Sequence, residues 1–362
     1  MKGKGVYIHI PFCKTICSYC DFCKMLYNEK WVASYLKKLQ KEIKDMYMDD
    51  EIDTIYIGGG TPSCLTIDEL KRLFKILKIF HINPTVEWTF ECNLEDINEE
   101  LLVLLRENNV NRISIGIETF NPKIQKIINR EHNFDDALNK INLCKSYGFN
   151  NINVDLMYGF KDQTLKDLKK DLKLFMKLQP THISTYSLIL EDQTLLKYEK
   201  YENCNEELDA QMYFYICKYL KKKHFKHYEV SNFALENFES KHNLKYWDNE
   251  EYYGFGLGAS GYIDGIRYNN TRSLKDYIEK EEYSQKELLT KQDIMDNELM
   301  LGFRKMEGIN IVKFAKKYGI KMEEAYPILP LLRNKDLILK KNYIKINPEK
   351  IYIMNEILIK LI

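Results

Sequence analysis

The sequence predicts an α/β fold, with a full or partial (β/α) TIM-like barrel followed by a smaller domain. Short runs rich in β-branched and aromatic residues recur at roughly 25–50 residues, the scale of a βαβ unit, and amphipathic helical patterns lie between them. This alternation continues over about 230 residues, which is typical of a parallel sheet covered by helices. In such barrels the functional side chains lie at the C-terminal ends of the strands.

Seven runs are predicted as strands, enough for a full or partial barrel. They centre near Tyr7, Ile55, Trp88, Ile115, Val154, Thr185 and Glu229. Six segments place their apolar residues three and four apart, which makes one helical face. These helices are predicted over Glu29–Met48, Asp68–Phe80, Asn98–Asn108, Phe134–Tyr147, Thr164–Leu178 and Glu206–Lys222.

The amino-acid composition changes after the last predicted strand. Residues 236–290 are rich in aromatics and glycine and are predicted as loop and short strand. Helical patterns return from Asp293 to Arg333, and the tail predicts a small hairpin and a last helix. We therefore predict a core barrel over residues 1–235, a connecting segment over 236–290 and a mostly helical, winged-helix-like domain over 291–362.

The bulk composition excludes several classes of protein. The chain of 362 residues is 45% hydrophobic and carries 54 basic and 53 acidic side chains, so no charge excess favours nucleic acid. It has no apolar run of about 18 residues that would predict a transmembrane helix, and its first apolar stretch is too short for a signal peptide. A cytoplasmic location is expected, while peripheral membrane contact and a homodimer are left open.

Three cysteines crowd into eight residues directly after the first predicted strand, at Cys13, Cys17 and Cys20. A cytosolic location disfavours disulfides, and structural zinc usually takes ligand pairs that lie well apart in sequence. Three thiolates on one compact loop suit a [4Fe–4S] cluster that leaves its fourth iron open to another ligand. Cys23 keeps two alternatives open, since it could close the cluster as a fourth ligand or bind zinc with its neighbours.

Glycines and carboxylates follow the next strands. Gly58–Pro62 reads "GGGTP", where backbone without Cβ atoms can approach a ligand and N–H groups at a helix start can meet its polar end. The alternative is a tight strand–helix turn. Glu91, Glu118 and Asp155 are expected at the ends of the third, fourth and fifth strands. Buried unpaired carboxylates are costly, but they suit a sulfonium, an ammonium or ribose hydroxyls.

Eight blocks in order resemble the oxygen-independent coproporphyrinogen III oxidase group of radical S-adenosylmethionine (SAM) proteins. The resemblance runs from Tyr7 to about Arg272. The blocks are "YIHIPFCKTICSYCDF", "GGGTPS", "RISIGIETF", "NVDLMYGF", "HISTYSLILE", "YEVSNFA", "HNLKYW" and "YYGFGLGASGY".

Three features resemble the heme chaperone branch of this group rather than the oxidase branch. The loop reads Cys20-Asp21-Phe22, where the oxidases have Cys-Gly-Cys with a further cysteine at the place of Phe22. "HNLKYW" at His242–Trp247 is similar to an HNxxYW block associated with heme binding. The sequence also begins almost at its first strand, whereas the oxidases carry a longer N-terminal arm.

The resemblance implies three cofactors, a [4Fe–4S] cluster, SAM and heme. The implied cluster ligands are Cys13, Cys17 and Cys20. The implied SAM contacts are Tyr7, Gly59, Gly60, Thr61, Glu91, Glu118, Arg130 and Asp155. Glu118 stands where the family usually has glutamine. The implied heme contacts are His242 as iron ligand and Tyr246 and Trp247 against the macrocycle, although an ordinary core histidine is the alternative for His242.

The resemblance therefore implies a chaperone that binds heme and delivers it to respiratory proteins, with an electron donor as a further partner. One alternative is the oxidase itself, which decarboxylates coproporphyrinogen III, but Phe22 in place of a cysteine predicts no turnover. The second is an electron-transfer protein whose cluster Cys23 closes. Whether the chain turns over SAM as an enzyme is left open.

Overall fold

The computed structural model describes residues 3–361. Met1, Lys2 and Ile362, which the predicted domain ranges include, lie outside the described residues. The strands are β1 Lys4–Ile10, β2 Phe12–Cys13, β3 Met25–Leu26, β4 Glu51–Gly59, β5 His81–Asn93, β6 Arg112–Glu118, β7 Asn151–Tyr158, β8 His182–Ser187, β9 Lys226–Glu229, β10 Asn232–Ala234, β11 Tyr252–Phe255, β12 Ser260–Ile263, β13 Ile266–Asn270, β14 Ser284–Leu288, β15 Ile309–Asn310, β16 Leu337–Lys340 and β17 Tyr343–Ile346.

The helices mostly lie between these strands. They are α1 Glu29–Met46, α2 Ile67–Leu77, α3 Glu99–Glu107, α4 Pro122–Ile128, α5 Phe134–Ser146, α6 Leu165–Lys177, α7 Leu195–Tyr198, α8 Glu206–Lys222, α9 Lys241–Trp247, α10 Leu274–Glu279, α11 Lys291–Gly302, α12 Ile311–Tyr318, α13 Met322–Ala325, α14 Ile328–Arg333 and α15 Met354–Leu358. Short 3₁₀ helices cover Pro62–Cys64, Leu94–Asp96 and Pro348–Ile353.

The centre of the fold is one twelve-stranded sheet in the order β14-β13-β12-β11-β1-β4-β5-β6-β7-β8-β10-β9. Seven neighbouring strands, from β11 through β1 to β8, run parallel, and antiparallel strands extend the sheet on both sides. Because β14 and β9 remain as two edges, the barrel is partial. This confirms the predicted fold class.

Local sequence explains where the core helices begin and which face they bury. Thr66 and Glu69 form a reciprocal capping box at the start of α2, and Thr164 and Asp167 do the same for α6. Each helix then buries apolar residues at spacings of three and four against the sheet. All seven predicted strands and six predicted helices are present, and α8 has the predicted bounds.

Two local predictions were wrong. Residues 241–247 were predicted as loop or short strand but form α9, which Ser240 caps through the N–H of Asn243. The buried carboxylate of Glu87 in β5 also accepts from the N–H groups of Lys241 and His242, both at 3.0 Å, and so binds the positive end of the helix. Glu91 and Asp155 do not end their strands, because β5 continues to Asn93 and β7 to Tyr158.

The segment predicted to connect two domains carries four strands of the main sheet. β11 pairs in parallel with β1, and β12, β13 and β14 follow as antiparallel neighbours. The remaining C-terminal part is mostly helical and holds the three-stranded sheet β15-β17-β16. The division at residues 235 and 290 stays a prediction. Among the described residues, no helix is both long and apolar enough to cross a membrane.

Candidate functional site

The cysteine loop is anchored to two helices beyond its own strands. Its base is closed by the parallel pairing of β2 with β3. The N–H of Ser18 donates to the carbonyl of Ile128 at 3.2 Å, and the N–H of Leu196 donates to the carbonyl of Ser18 at 3.1 Å. The side-chain amide of Asn129 holds the carbonyl of Ile16 at 2.9 Å. These bonds fix the loop over the carboxyl ends of the parallel strands.

The thiols of Cys13, Cys17 and Cys20 line one small cavity of about 120 Å³. Burial raises the pKa of all three and brings that of Cys17 to about 12, so binding to iron must supply the energy that deprotonates them. No three His, Cys, Asp or Glu side chains of residues 3–361 are placed to hold a single metal ion. A [4Fe–4S] cube instead takes one thiolate on each of three irons, which spreads its ligands around a cavity wall. The residues present fit such a cluster.

Ten of the fourteen site residues predicted from the sequence come together around this cavity. They are Cys13, Cys17, Cys20, Gly59, Gly60, Thr61, Glu91, Glu118, Arg130 and Asp155. Within the described part of the chain, Tyr7, His242, Tyr246 and Trp247 are not among the residues that line it.

Cys23 and Tyr7 belong to the support of the loop. The thiol of Cys23 lies 3.7 Å from the carbonyl of Arg272, away from the cavity of the other three. Its own carbonyl accepts from Nε2 of His9 at 2.6 Å, so Nδ1 of that ring accepts from the hydroxyl of Tyr7 at 2.9 Å. Burial lowers the pKa of His9 to about 4, which keeps the ring neutral in this role.

The glycines after β4 are required by close packing. A Cβ at Gly58 would lie 2.7 Å from the carboxylate of Glu91, and one at Gly60 would lie 2.9 Å from Sγ of Cys13. Gly59 has φ +119°, and a Cβ there would lie 2.7 Å from the ring of His9. Only glycine allows this segment to pass between the cysteine loop and the carboxylate.

The expectation that the N–H groups of this segment meet a ligand was wrong for Gly59, Gly60 and Thr61, and the N–H of Gly59 donates to Glu91 at 3.1 Å. The N–H of Gly60 donates to the carbonyl of Ile10, and that of Thr61 donates to the carbonyl of Phe12, both at 2.8 Å. The hydroxyl of Thr61 lies 3.5 Å from Sγ of Cys13. The segment pairs with the chain that leads into the cysteine loop, and this pairing uses the donors.

Two of the predicted carboxylates, Glu91 and Asp155, are half-buried at the cavity and have raised pKa values. Burial raises the pKa of Glu91 to about 7, although Tyr56 donates to it at 2.7 Å and the N–H of Gly59 at 3.1 Å. Burial likewise raises the pKa of Asp155 to about 6, although the amide of Asn153 donates to it at 2.8 Å. A cation bound between them would favour the ionised carboxylates.

Glu118 is tied down on one oxygen only. Its Oε1 accepts from the hydroxyl of Tyr19 at 2.8 Å and lies 3.4 Å from Nη2 of Arg130. The other nitrogen, Nη1, donates to Oδ1 of Asn93 at 2.7 Å. Oε2 of Glu118 is buried and lacks a hydrogen-bond partner within residues 3–361, and its backbone has φ +62°, a strained value for this residue type. An unsatisfied acceptor at a strained position suits contact with a ligand.

A second and larger cavity adjoins the first. It measures about 580 Å³, within the range of ligand pockets, and shares Cys20, Glu91, Glu118 and Asp155 with the cluster cavity. Phe22 lies in its wall with 67% of its surface exposed. A group held near the three thiols therefore opens directly onto a space large enough for an organic ligand.

His242 lies inside the protein with both ring nitrogens in hydrogen bonds. Thr54 Oγ1 is 2.9 Å from Nδ1, and the hydroxyl of Tyr246 is 2.8 Å from Nε2. The residue is 1% exposed, and burial lowers its pKa to about 3. Its ring packs at 5.4 Å from the ring of Tyr56, whose hydroxyl binds Glu91. Ligation of heme iron would require the Tyr246 hydroxyl or Thr54 to move, so the predicted ligand role stays a prediction.

The other two residues of the predicted heme contact face different surroundings. The ring of Tyr246 packs edge-on at 4.5 Å from the ring of Tyr252. Trp247 lies under the guanidinium of Arg304 at 5.6 Å, and its indole nitrogen is buried without a partner among the described residues. Within the segment His242–Trp247, Asn243 lines the large cavity.

Sequence reasoning missed four residues that the structure places at the site. Tyr19 and Tyr56 hold carboxylates, and Arg112 and Asn243 line the large cavity. The alternation of side chains along a strand could have indicated Tyr56, because it lies two residues before Gly58 and so shares its strand face. The contacts of Tyr19 and Asn243 cross between distant segments and leave no local pattern.

Comparisons with known proteins show what the chain and its fold resemble. Residues 7–175 match the profile of the Radical SAM superfamily. The structure superposes on the coproporphyrinogen III oxidase HemN of Escherichia coli, a radical SAM enzyme, with TM-score 0.86 over 99% of this chain and 90% of that one. At 20% sequence identity, that likeness shows the fold.

The sequence relatives decide the family. The heme chaperone HemW of Lactococcus lactis is 40% identical over 333 residues, which cover 90% of this chain and 88% of the relative. The chain belongs to the heme chaperone HemW family. The HemW of Bacillus subtilis is 37% identical over 350 residues, 92% of each chain. Membership of the radical SAM superfamily confirms the [4Fe–4S] cluster and SAM as the expected cofactors of this HemW family member.

Proposed function

We propose that this chain is a heme chaperone, which binds heme and passes it to heme-accepting respiratory proteins. The observation that carries the proposal is the match along nine-tenths of the chain to curated relatives named heme chaperone HemW, at 40% and 37% identity. The large cavity beside the three thiols supports it, because it offers an organic ligand about 580 Å³.

In this proposal Cys13, Cys17 and Cys20 hold the [4Fe–4S] cluster. SAM would be held beside it by Gly59, Gly60, Thr61, Glu91, Glu118, Arg130 and Asp155, with Tyr7 in an indirect role. The chemistry that such a cluster supplies when bound is one-electron reductive cleavage of SAM. Tyr7 acts here through His9, to which it is hydrogen-bonded, and not through the cavity wall.

The protein's own part is to orient a cationic ligand and exclude water. Burial raises the pKa of Glu91 to about 7 and that of Asp155 to about 6, and a positive group nearby would favour the ionised form of both. Arg130 pairs with Oε1 of Glu118, and Oε2 of Glu118 has no hydrogen-bond donor within the described chain. Such an oxygen can accept from an amine or a ribose hydroxyl.

The test is an absorbance titration of hemin into anaerobically reconstituted protein. We expect a saturable shift of the Soret band, weakened in His242→Ala if that imidazole ligates the iron. The matched control is His81→Ala, because His81 is exposed on the surface. The absence of saturable binding in the unmodified protein would refute the chaperone proposal.

The oxidase alternative has a direct assay. Protein, reductant and SAM are incubated without oxygen with coproporphyrinogen III, and the release of carbon dioxide is followed. We expect no turnover, since Phe22 stands where the oxidases carry a cysteine and HemN shares the fold at only 20% identity. Turnover would replace the chaperone proposal by the oxidase.

The closed-cluster alternative depends on Cys23. Its thiol contacts the carbonyl of Arg272 and lies outside the cavity that the other three thiols line, which favours an open iron. A spectral change of the reduced cluster on addition of SAM is expected, and a spectrum that does not respond would support the closed cluster. Within the proposal, a one-electron donor, a homodimer, peripheral membrane contact and a cytoplasmic location stay predictions.

A further inference from the structure

Arg112 is a buried cation with little to bind. It begins β6 and is only 2% exposed. A guanidinium carries five N–H donors, yet its one hydrogen bond to the described residues runs from Nη1 to the hydroxyl of Thr89, at 3.5 Å. Its Nε is buried and has no partner within residues 3–361.

The charge of Arg112 also lacks an ion-pair partner. No carboxylate of the described chain lies within 4.0 Å of it, whereas Arg130 has Glu118. The charge of Arg112 acts at longer range on Glu91 and Asp155, where it lowers the pKa values that burial raises. The guanidinium nevertheless keeps N–H donors without a close acceptor, and a ligand carboxylate in the adjoining space could bind them.

That adjoining space is the large cavity, whose charged lining residues are mostly acidic. Among the described residues, its basic side chains are Arg112 and Arg304. Its acidic side chains are Asp21, Glu91, Glu118, Asp155, Glu191 and Asp209. An anionic group that enters such a cavity is repelled by these carboxylates and attracted to the two guanidiniums.

Asn243 supplies a second donor to the same cavity. Its backbone N–H is used by Ser240 at 3.3 Å, but its side-chain amide has no hydrogen bond to the described residues. Arg112 lies near His242–Trp247. Burial is the largest cause of the lowered pKa of His242, and the charges of Lys245 and Arg112 contribute less. This segment therefore presents to the cavity the free amide of Asn243 and not the imidazole of His242.

We propose that Arg112 and Asn243 form a carboxylate-binding subsite that takes one propionate group of the bound tetrapyrrole. The planar guanidinium fork matches a carboxylate with two parallel N–H···O bonds, and the asparagine NH₂ group adds a third. The inference rests on the proposed function, since it assigns a place in the cavity to the heme that the chaperone binds.

The experiment compares two ligands on two proteins. Hemin and hemin dimethyl ester, whose propionates are esterified, are titrated anaerobically into cluster-reconstituted protein and into Arg112→Gln. The unmodified protein should prefer hemin by about tenfold or more, the worth of a charge-assisted pair. Arg112→Gln should bind the two ligands nearly equally, because only the ionised propionate needs the guanidinium.

Matched variants separate the subsite from general damage. Arg106→Gln removes a guanidinium that packs on Phe149, outside the cavity, and should leave the preference intact. Arg112→Lys keeps the charge without the fork and should give an intermediate preference. If Arg112→Gln does not fold, Arg112→Lys and Asn243→Ala are titrated in its place. An undiminished preference for hemin over the dimethyl ester in both variants would overturn the proposal.

The outcomes distinguish this inference from the function on which it rests. If the unmodified protein binds neither ligand, the chaperone proposal fails. If it binds hemin and the ester equally, or if Arg112→Gln keeps the full preference, the subsite is wrong and the chaperone proposal stands. The carboxylate of SAM is a second source of the same chemistry. Loss of the SAM-induced spectral change in Arg112→Gln with an unchanged hemin preference would assign the site to SAM and overturn the proposal.

Discussion

The hydroxyl of Tyr246 lies 2.8 Å from Nε2 of His242, one helical turn away, and this bond occupies one of the two ring nitrogens. Thr54 holds the other nitrogen at 2.9 Å. The same imidazole packs on Tyr56, which holds Glu91 at the cluster cavity. His242 therefore ties α9 to β4, and through Tyr56 it adjoins the cavity that the three thiols line.

Replacement of His242 should destabilise the protein itself. His242→Ala removes two buried hydrogen bonds and leaves a cavity, and we expect the free energy of unfolding to fall by about 2–4 kcal/mol. Denaturant titration followed by circular dichroism measures it. His81→Ala, at an exposed position, should change it by less than about 0.5 kcal/mol. An equally small change in His242→Ala would show that these two bonds contribute little.

Cys23 should be dispensable for the cluster, because its thiol points to Arg272 and not into the cavity of the other three. After anaerobic reconstitution, Cys23→Ser should retain its iron and sulfide content and its response to SAM. Cys17→Ser should lose most of both, since it removes one of three ligands. Equal losses in the two variants, measured by iron and sulfide assay, would instead make Cys23 a ligand.

Gly60 should be intolerant of any side chain. A Cβ there would lie 2.8 Å from the carbonyl oxygen of Phe12 and 2.9 Å from Sγ of Cys13, so Gly60→Ala must push the cysteine loop away from β4. We expect reduced iron content after reconstitution. The control is Gly265→Ala, which costs backbone strain at φ +74° but meets nothing within 4 Å. Full iron content in Gly60→Ala would show that the loop yields without losing the cluster.

The sequence predicted what depends on local pattern. The seven strands follow from runs of β-branched and aromatic residues, and α8 begins and ends as predicted because its periodicity is continuous. The spacing of the three cysteines was informative for the same reason, since all three belong to one short loop. Ten predicted site residues then met around one cavity because parallel strands place their carboxyl ends at one edge.

The remainder depends on contacts between distant segments. The buried carboxylate of Glu87 caps α9 from far along the chain. The glycine- and aromatic-rich sequence around α9 therefore predicted loop or short strand instead of a helix. The pairing of β11 with β1 likewise joins segments separated by more than two hundred residues. The free donors of Arg112 could not be predicted either, because a missing partner is visible only once every neighbour is placed.

Glu229 should make stability depend on pH. It is buried, and burial raises its pKa from 4.5 to about 7. Between these values the folded protein holds a proton that the unfolded chain has released, so the free energy of unfolding falls as pH rises from about 4.5 to about 7. Glu229→Gln should remove a fall on the order of 2 kcal/mol, measured by denaturant titration at several pH values. Glu236→Gln, at an exposed position, should keep the original profile, and a Glu229→Gln profile that matched it would rule out this assignment.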